Sequence, residues 1–129
     1  DLTPRHRGDG DAINALFTAK DIAKQLTDSG KESLKRGVKE LHPKNTYMAW
    51  AQTVQRCVEL PPSEGGYGFH LVRGLGGHGY GRKLHAPPFV SNVVPSQSGE
   101  WHEGNQPIEA GTLLAVEPMI GVLPVGMLP

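Results

Sequence analysis

Apolar positions recur in two rhythms along this chain. Residues 1–5, DLTPR, and 12–19, AINALFTA, read as short strands, and the intervening RGDGD supplies the Asp and Gly of a hairpin turn. Over 20–41 the period lengthens. Ile22, Leu26, Leu34, Val38 and Leu41 recur at helical spacing, with Lys, Asp and Glu between them. Gly30 and Gly37 each weaken this helix by ~1 kcal/mol relative to alanine, and Pro43 marks its end. Asn45 or Thr46 can cap a second helix over 47–59, with Met48, Ala51, Val54 and Val58 on its apolar face. Met48, Trp50 and Cys57 are expected to pack in a core or groove. LPPSEGG then turns the chain, and the rhythm becomes extended. YGFHLVR (67–73) reads as a strand, FVSNVV (89–94) as extended chain, and TLLAVEPMI (112–120) as a strongly apolar strand with one acid, Glu117. A hairpin, two helices and then strands make the class α+β. Residues 95–109 form a polar loop in which Trp101 is either exposed or part of a lid.

Composition narrows the field. The 129 residues suffice for one domain with one core. Thirteen basic residues balance 13 acidic ones, so no charge surplus draws the chain to nucleic acid or an anionic membrane, and neither is expected as a partner. No apolar run approaches membrane-spanning length, and no secretory signal pattern is read at the start. The single cysteine, Cys57, excludes an internal disulfide and fits a reducing, cytoplasmic setting. Glycine (17) and proline (11) concentrate after residue 60 without repetition, so they mark turns and close backbone approaches rather than low complexity.

The densest of these stretches is GLGGHGYGRKLHAPP, 74–88. Gly74-x-Gly76-x-x-Gly79 matches a dinucleotide fingerprint, but that loop must open a helix, and Gly81, Pro87 and Pro88 forbid one. The alternative centres on His78, flanked by Gly77 and Gly79, with His85 seven residues on. Glycines there let the backbone bend and a metal or bulky ligand approach. Glu117 adds weight, because a carboxylate among apolar neighbours requires a cation, either Arg73 or Arg82 or a metal. Asp1, Asp9 and Asp11 cluster around the hairpin, with Asp9 read as solvated turn chemistry. Carboxylates with one imidazole and no thiolate suit Mn, Fe or Co better than a structural zinc.

GGHGYGRKLHAPPFVSN, followed by EAGTLLAVEPMI, resembles the type I methionine aminopeptidases. Arg82 and the Glu117-Pro118-Met119 triplet favour this branch over the prolidase and aminopeptidase P relatives. DLT and GDAINALF are similar to the family's first ligand-bearing strands. The resemblance implies a pita-bread fold, an antiparallel sheet with two helices on one face. It also implies two divalent metal ions (Co, Mn, Fe or Zn). Asp1, Asp11, His78 and Glu117 match metal ligands, His85 matches the histidine that contacts substrate, and Leu84 falls on the wall of the methionine pocket. Aligned without gaps, the second aspartate falls on Ala12, and a one-residue shorter turn restores Asp11. The acid expected after His85 is Ala86 here. The family's last glutamate and an upstream histidine fall outside residues 1–129. The chain is therefore expected to be a partial catalytic domain of a longer enzyme that is monomeric at full length.

The implied reaction removes N-terminal methionine from peptides or nascent proteins by a metal-bridged hydroxide, with His85 stabilising the oxyanion and Glu117 carrying the proton. The competing expectation is an inactive pita-bread protein that uses the pocket or surface for binding.

Overall fold

The computed structural model describes residues 9–123, and side chains from residue 18 onward. Two helices come first, α1 (Asp9–Val38) and α2 (Tyr47–Glu59). Five short strands follow: β1 (His70–Leu71), β2 (Gly76–Gly79), β3 (Ala86–Ser91), β4 (Leu114–Ala115) and β5 (Ile120–Gly121). All pairings are antiparallel. β1 pairs with β5, and β2 lies between β3 and β4.

The expected hairpin is not formed. Residues 12–19, read as a strand, belong to α1, and residues 1–5 lie outside the described residues. Ile13, Leu16 and Phe17 also fit a helical period, and the alanines around them favour helix. A lone two-stranded hairpin is marginal in water, so the longer helix wins.

The face that α1 buries is also different from the expected one. Ile22, Leu34 and Val38 are exposed. Leu26 and Leu41 pack against the core as expected, but the fully buried positions are Ser29, Ser33 and Gly37, four residues apart on one face. Both serine hydroxyls are satisfied within the helix, by the carbonyls of Leu26 (2.8 Å) and Gly30 (3.0 Å). The small face admits the bulk of α2. A Cβ on Gly37 would lie 2.6 Å from the Trp50 ring and 2.9 Å from Val54.

α2 spans the residues its pattern predicts and supplies the centre of the core. Tyr47, Trp50, Ala51, Val54, Cys57 and Val58 are buried, against Phe69, Leu71, Val90, Trp101 and Ile108. Burial pushes the Cys57 thiol above its ordinary pKa, so it acts as a packing residue. Thr46 occupies the cap position without a side-chain bond, while Asn45 turns back to Glu40.

The end of α2 is tied to β1 through Glu59. Its carboxylate accepts the Leu71 N–H (2.8 Å), Gln55 Nε2 (3.0 Å) and the Arg73 guanidinium (Nη2, 2.8 Å). Burial alone would raise its pKa, but these donors outweigh it and hold the carboxyl below the usual range. Arg73 is thus committed to Glu59 and not to Glu117.

The polar 95–109 loop is pinned down. Trp101 is buried, and its indole N–H donates to the Phe89 carbonyl at 2.9 Å. Ile108 joins the core, and its N–H binds the Asn45 carbonyl at 3.0 Å. Trp101 is therefore an anchor, and neither an exposed residue nor a lid.

Gly37→Ala offers a test of the small-face packing. Helix propensity favours alanine by ~1 kcal/mol, whereas overpacking against Trp50 costs about 1–3 kcal/mol. The expected outcome is a net loss of stability in urea unfolding; a gain would contradict this packing.

Candidate metal-binding active site

The site is assembled by strand register. His78 on β2 pairs with Ala115 on β4. Glu117 lies two residues beyond Ala115, so its side chain returns to the face that His78 occupies. The His78 Nε2–Glu117 Oε2 distance is 3.1 Å. On the other side of β2, the ladder with β3 slips: His78 pairs with Phe89, but Gly79 pairs with Ala86. The two extra residues, Pro87 and Pro88, draw His85 up beside the strand. Its ring lies 4.3 Å from that of His78, tilted by 52°. This irregularity brings together two histidines that a regular strand would hold on opposite faces.

Glycine makes such pairing possible. A Cβ on Gly77 would lie 2.2 Å from the Ala115 carbonyl oxygen. The glycines flanking His78 thus belong to the central strand of its sheet, and the bend expected between the two histidines falls at residues 81–85.

His78 is held in one tautomer. Its Nδ1 lies 2.8 Å from the Gly79 carbonyl oxygen, which can only accept, so Nδ1 carries the proton. Neutral His78 then presents an Nε2 lone pair toward a carboxylate oxygen. Two acceptors at 3.1 Å repel unless a proton or a metal cation lies between or beside them. If a proton serves, the ion pair adds only ~0–1 kcal/mol, because solvent screens Glu117, whose side chain is 45% exposed.

The apolar 112–120 segment thus enters two strands, β4 and β5, joined by residues 116–119, which carry a half-exposed Glu117. Its nearest basic partner is His78, which replaces the expected Arg73 or Arg82. Asn92 fixes that link. It is almost fully buried, accepts from Trp50 Nε1 (3.3 Å) and donates to the Glu117 carbonyl oxygen (2.7 Å).

His78, His85 and Glu117 open onto one cavity of about 570 Å³, with Leu75, Phe89 and Met119 among its apolar walls. Leu84, expected in that wall, is 62% exposed and lies outside it. It sits in the irregular 81–85 segment, where no strand turns it inward. Glu103 is a lining residue that the sequence did not signal. It is carried in by the 3-10 turn His102–Asn105, directly after the Trp101 anchor.

Asp1 lies outside the described residues. Asp11 falls in the first turns of α1 instead of on a hairpin strand, and its side chain is outside those described. Among the described residues, no three His, Cys, Asp or Glu side chains converge closely enough to hold a metal. The pair at this cavity, the His78 imidazole nitrogen and a Glu117 carboxylate oxygen, is of a chemistry that suits Mn, Fe, Co or Zn.

A family model for metallopeptidase family M24 matches residues 11–127. The chain belongs to metallopeptidase family M24. It is 30% identical over 114 residues to methionine aminopeptidase 1 of Mycobacterium tuberculosis, covering 88% of this chain and 40% of that protein. It is 29% identical over 115 residues to the methionine aminopeptidase of Aquifex aeolicus, covering 88% and 41%. To methionine aminopeptidase 1 of Bacillus subtilis it is 28% identical over 115 residues, covering 89% and 42%. The chain thus spans about two-fifths of the length of these curated relatives. Membership in M24 gives the chain a pita-bread fold, seen here in part as two helices and antiparallel strands, and implies dependence on divalent metal. No helix among the described residues is long and apolar enough to cross a membrane.

Asn92→Ala probes how this M24 site is held. It leaves the Trp50 N–H and the Glu117 carbonyl without their partner, and is expected to cost about 1–3 kcal/mol in unfolding free energy. It is also expected to weaken metal binding by about 10–100-fold. Unchanged metal affinity in titration calorimetry would show that Asn92 does not position Glu117.

Proposed function

We propose that the chain carries part of the catalytic site of a metal-dependent methionine aminopeptidase, which removes N-terminal methionine from peptides or nascent proteins. The observation that carries this reading is the His78 arrangement: Nδ1 tied to the Gly79 carbonyl, Nε2 turned to Glu117, and His85 alongside. Kinship with proteins named methionine aminopeptidase supports the substrate class.

His78 Nε2 and Glu117 would hold metal, with Asp1 and Asp11 as further ligands. When bound, divalent ions lower the pKa of a water and polarise a carbonyl. Every other role falls to the chain's own groups. The carboxylates of Glu103 and Glu117 favour a free N-terminal ammonium at the cavity. Leu75, Phe89 and Met119 offer apolar contact to a methionine side chain. His85 donates a hydrogen bond to the carbonyl oxygen of the first peptide bond as charge develops there. Glu117 takes a proton from the attacking water and passes it to the leaving amine. The protein is read as a cytoplasmic monomer acting on peptide N-termini.

One observation favours a second reading. Among the described residues no three metal donors converge, which suits a non-catalytic pita-bread protein that uses the cavity for binding.

Methionine release from a short peptide, with Co or Mn supplied, separates the two. The enzyme reading expects turnover, and expects His85→Ala to slow it by about 10²–10³-fold with metal content unchanged. Bound metal without turnover would favour the binding module. Loss of metal in His85→Ala would place His85 among the ligands.

A further inference from the structure

A second cavity, about 300 Å³, adjoins the first and shares Pro87 and Glu103 with it. Tyr47, at the start of α2, borders it and is only 4% exposed. The Tyr47 hydroxyl has no hydrogen-bond partner among the described residues. Yet no sealed side-chain oxygen or nitrogen among them lacks a partner. The hydroxyl is therefore not sealed, and Tyr47 borders this cavity together with Glu109, whose charge acts on the phenol. Burial, and then Glu109, hold the phenol above its ordinary pKa, so it stays protonated and can both donate and accept.

Glu103 and Glu109 line the same space, and neither side chain has a cationic partner among the described residues. They do not join a third donor closely enough to form a metal-holding group. Pro87, Pro88 and the Tyr47 ring give the cavity apolar surface. A slot with apolar flanks, two unpaired carboxylates and a phenol oxygen complements a long aliphatic stem that ends in a cation.

The geometry points to a subsite for an arginine or lysine side chain, carried by a peptide whose N-terminus occupies the first cavity. This rests on the peptide-binding reading above. Glu103, common to both cavities, makes them neighbours along one bound peptide. The consequence is a preference for peptides with a basic residue downstream of the N-terminus.

Calorimetric binding in a metal chelator tests this without turnover. The probes are pentapeptides beginning Met-Ala, with arginine or its neutral isostere citrulline at the third, fourth or fifth position. At one of these positions the arginine peptide is expected to bind about tenfold more tightly than its citrulline counterpart. Glu109→Gln, at an exposed site, should abolish that difference while leaving the citrulline affinity unchanged. Tyr47→Phe should reduce it. Equal affinities at all three positions, or a preference that survives Glu109→Gln, would overturn the subsite. The outcomes separate the two readings. Methionine release without an arginine preference removes only the subsite, and an arginine preference without methionine release removes only the peptidase.

Discussion

A ring N–H bound to the carbonyl of the next residue leaves His78 with one free nitrogen, and that nitrogen faces Glu117. The rest of the site depends on this bond. Were the other nitrogen protonated, Nε2 would simply donate to the carboxylate and offer nothing to a metal. With Nδ1 donating, the neutral pair is two acceptors at 3.1 Å, an arrangement that requires a proton or a metal cation between or beside them. The screened ion pair is worth too little to explain the geometry by stability alone. The backbone carbonyl thus fixes the ring of a strand histidine so that its other nitrogen points at Glu117.

That bond can form only because β2 is a strand, and β2 is a strand for reasons outside itself. Gly-Gly-His-Gly has poor intrinsic β-propensity. β3 and β4 press on both of its edges, so closely that the Ala115 carbonyl stands where a side chain at Gly77 would begin. The same economy of size operates in the helices, where Gly37 lets α1 close on Trp50. Trp50 in turn holds Asn92, and Asn92 holds the backbone of Glu117. Helix packing and the placement of Glu117 are therefore linked through two hydrogen bonds.

Much of this was legible in the sequence, and the failures have physical causes. α2 was readable to the residue, because a clean helical period runs into Pro61 and Pro62. The start of α1 was not, because its alanine-rich apolar pattern fits both strand and helix over eight residues. Its buried face is legible only at Leu26, because serine and glycine, which carry no hydrophobic signal, make the closest contact. His78, His85 and Glu117 stood out through residue type and motif, and the structure brings them together. Their approach depends on a slipped register that no local pattern encodes. Leu84 followed the motif but not the fold. Glu103 and the burial of Trp101 rest on a contact with Phe89 twelve residues away in the chain, which periodicity cannot show.

The most direct test is the tautomer of His78, read from long-range ¹H–¹⁵N correlations of the imidazole in the metal-free protein at a pH where the ring is neutral. The account predicts a proton on Nδ1 and a pyridine-like Nε2, whose signal shifts when a divalent metal is added. A proton on Nε2, or an Nε2 signal indifferent to metal, would contradict it.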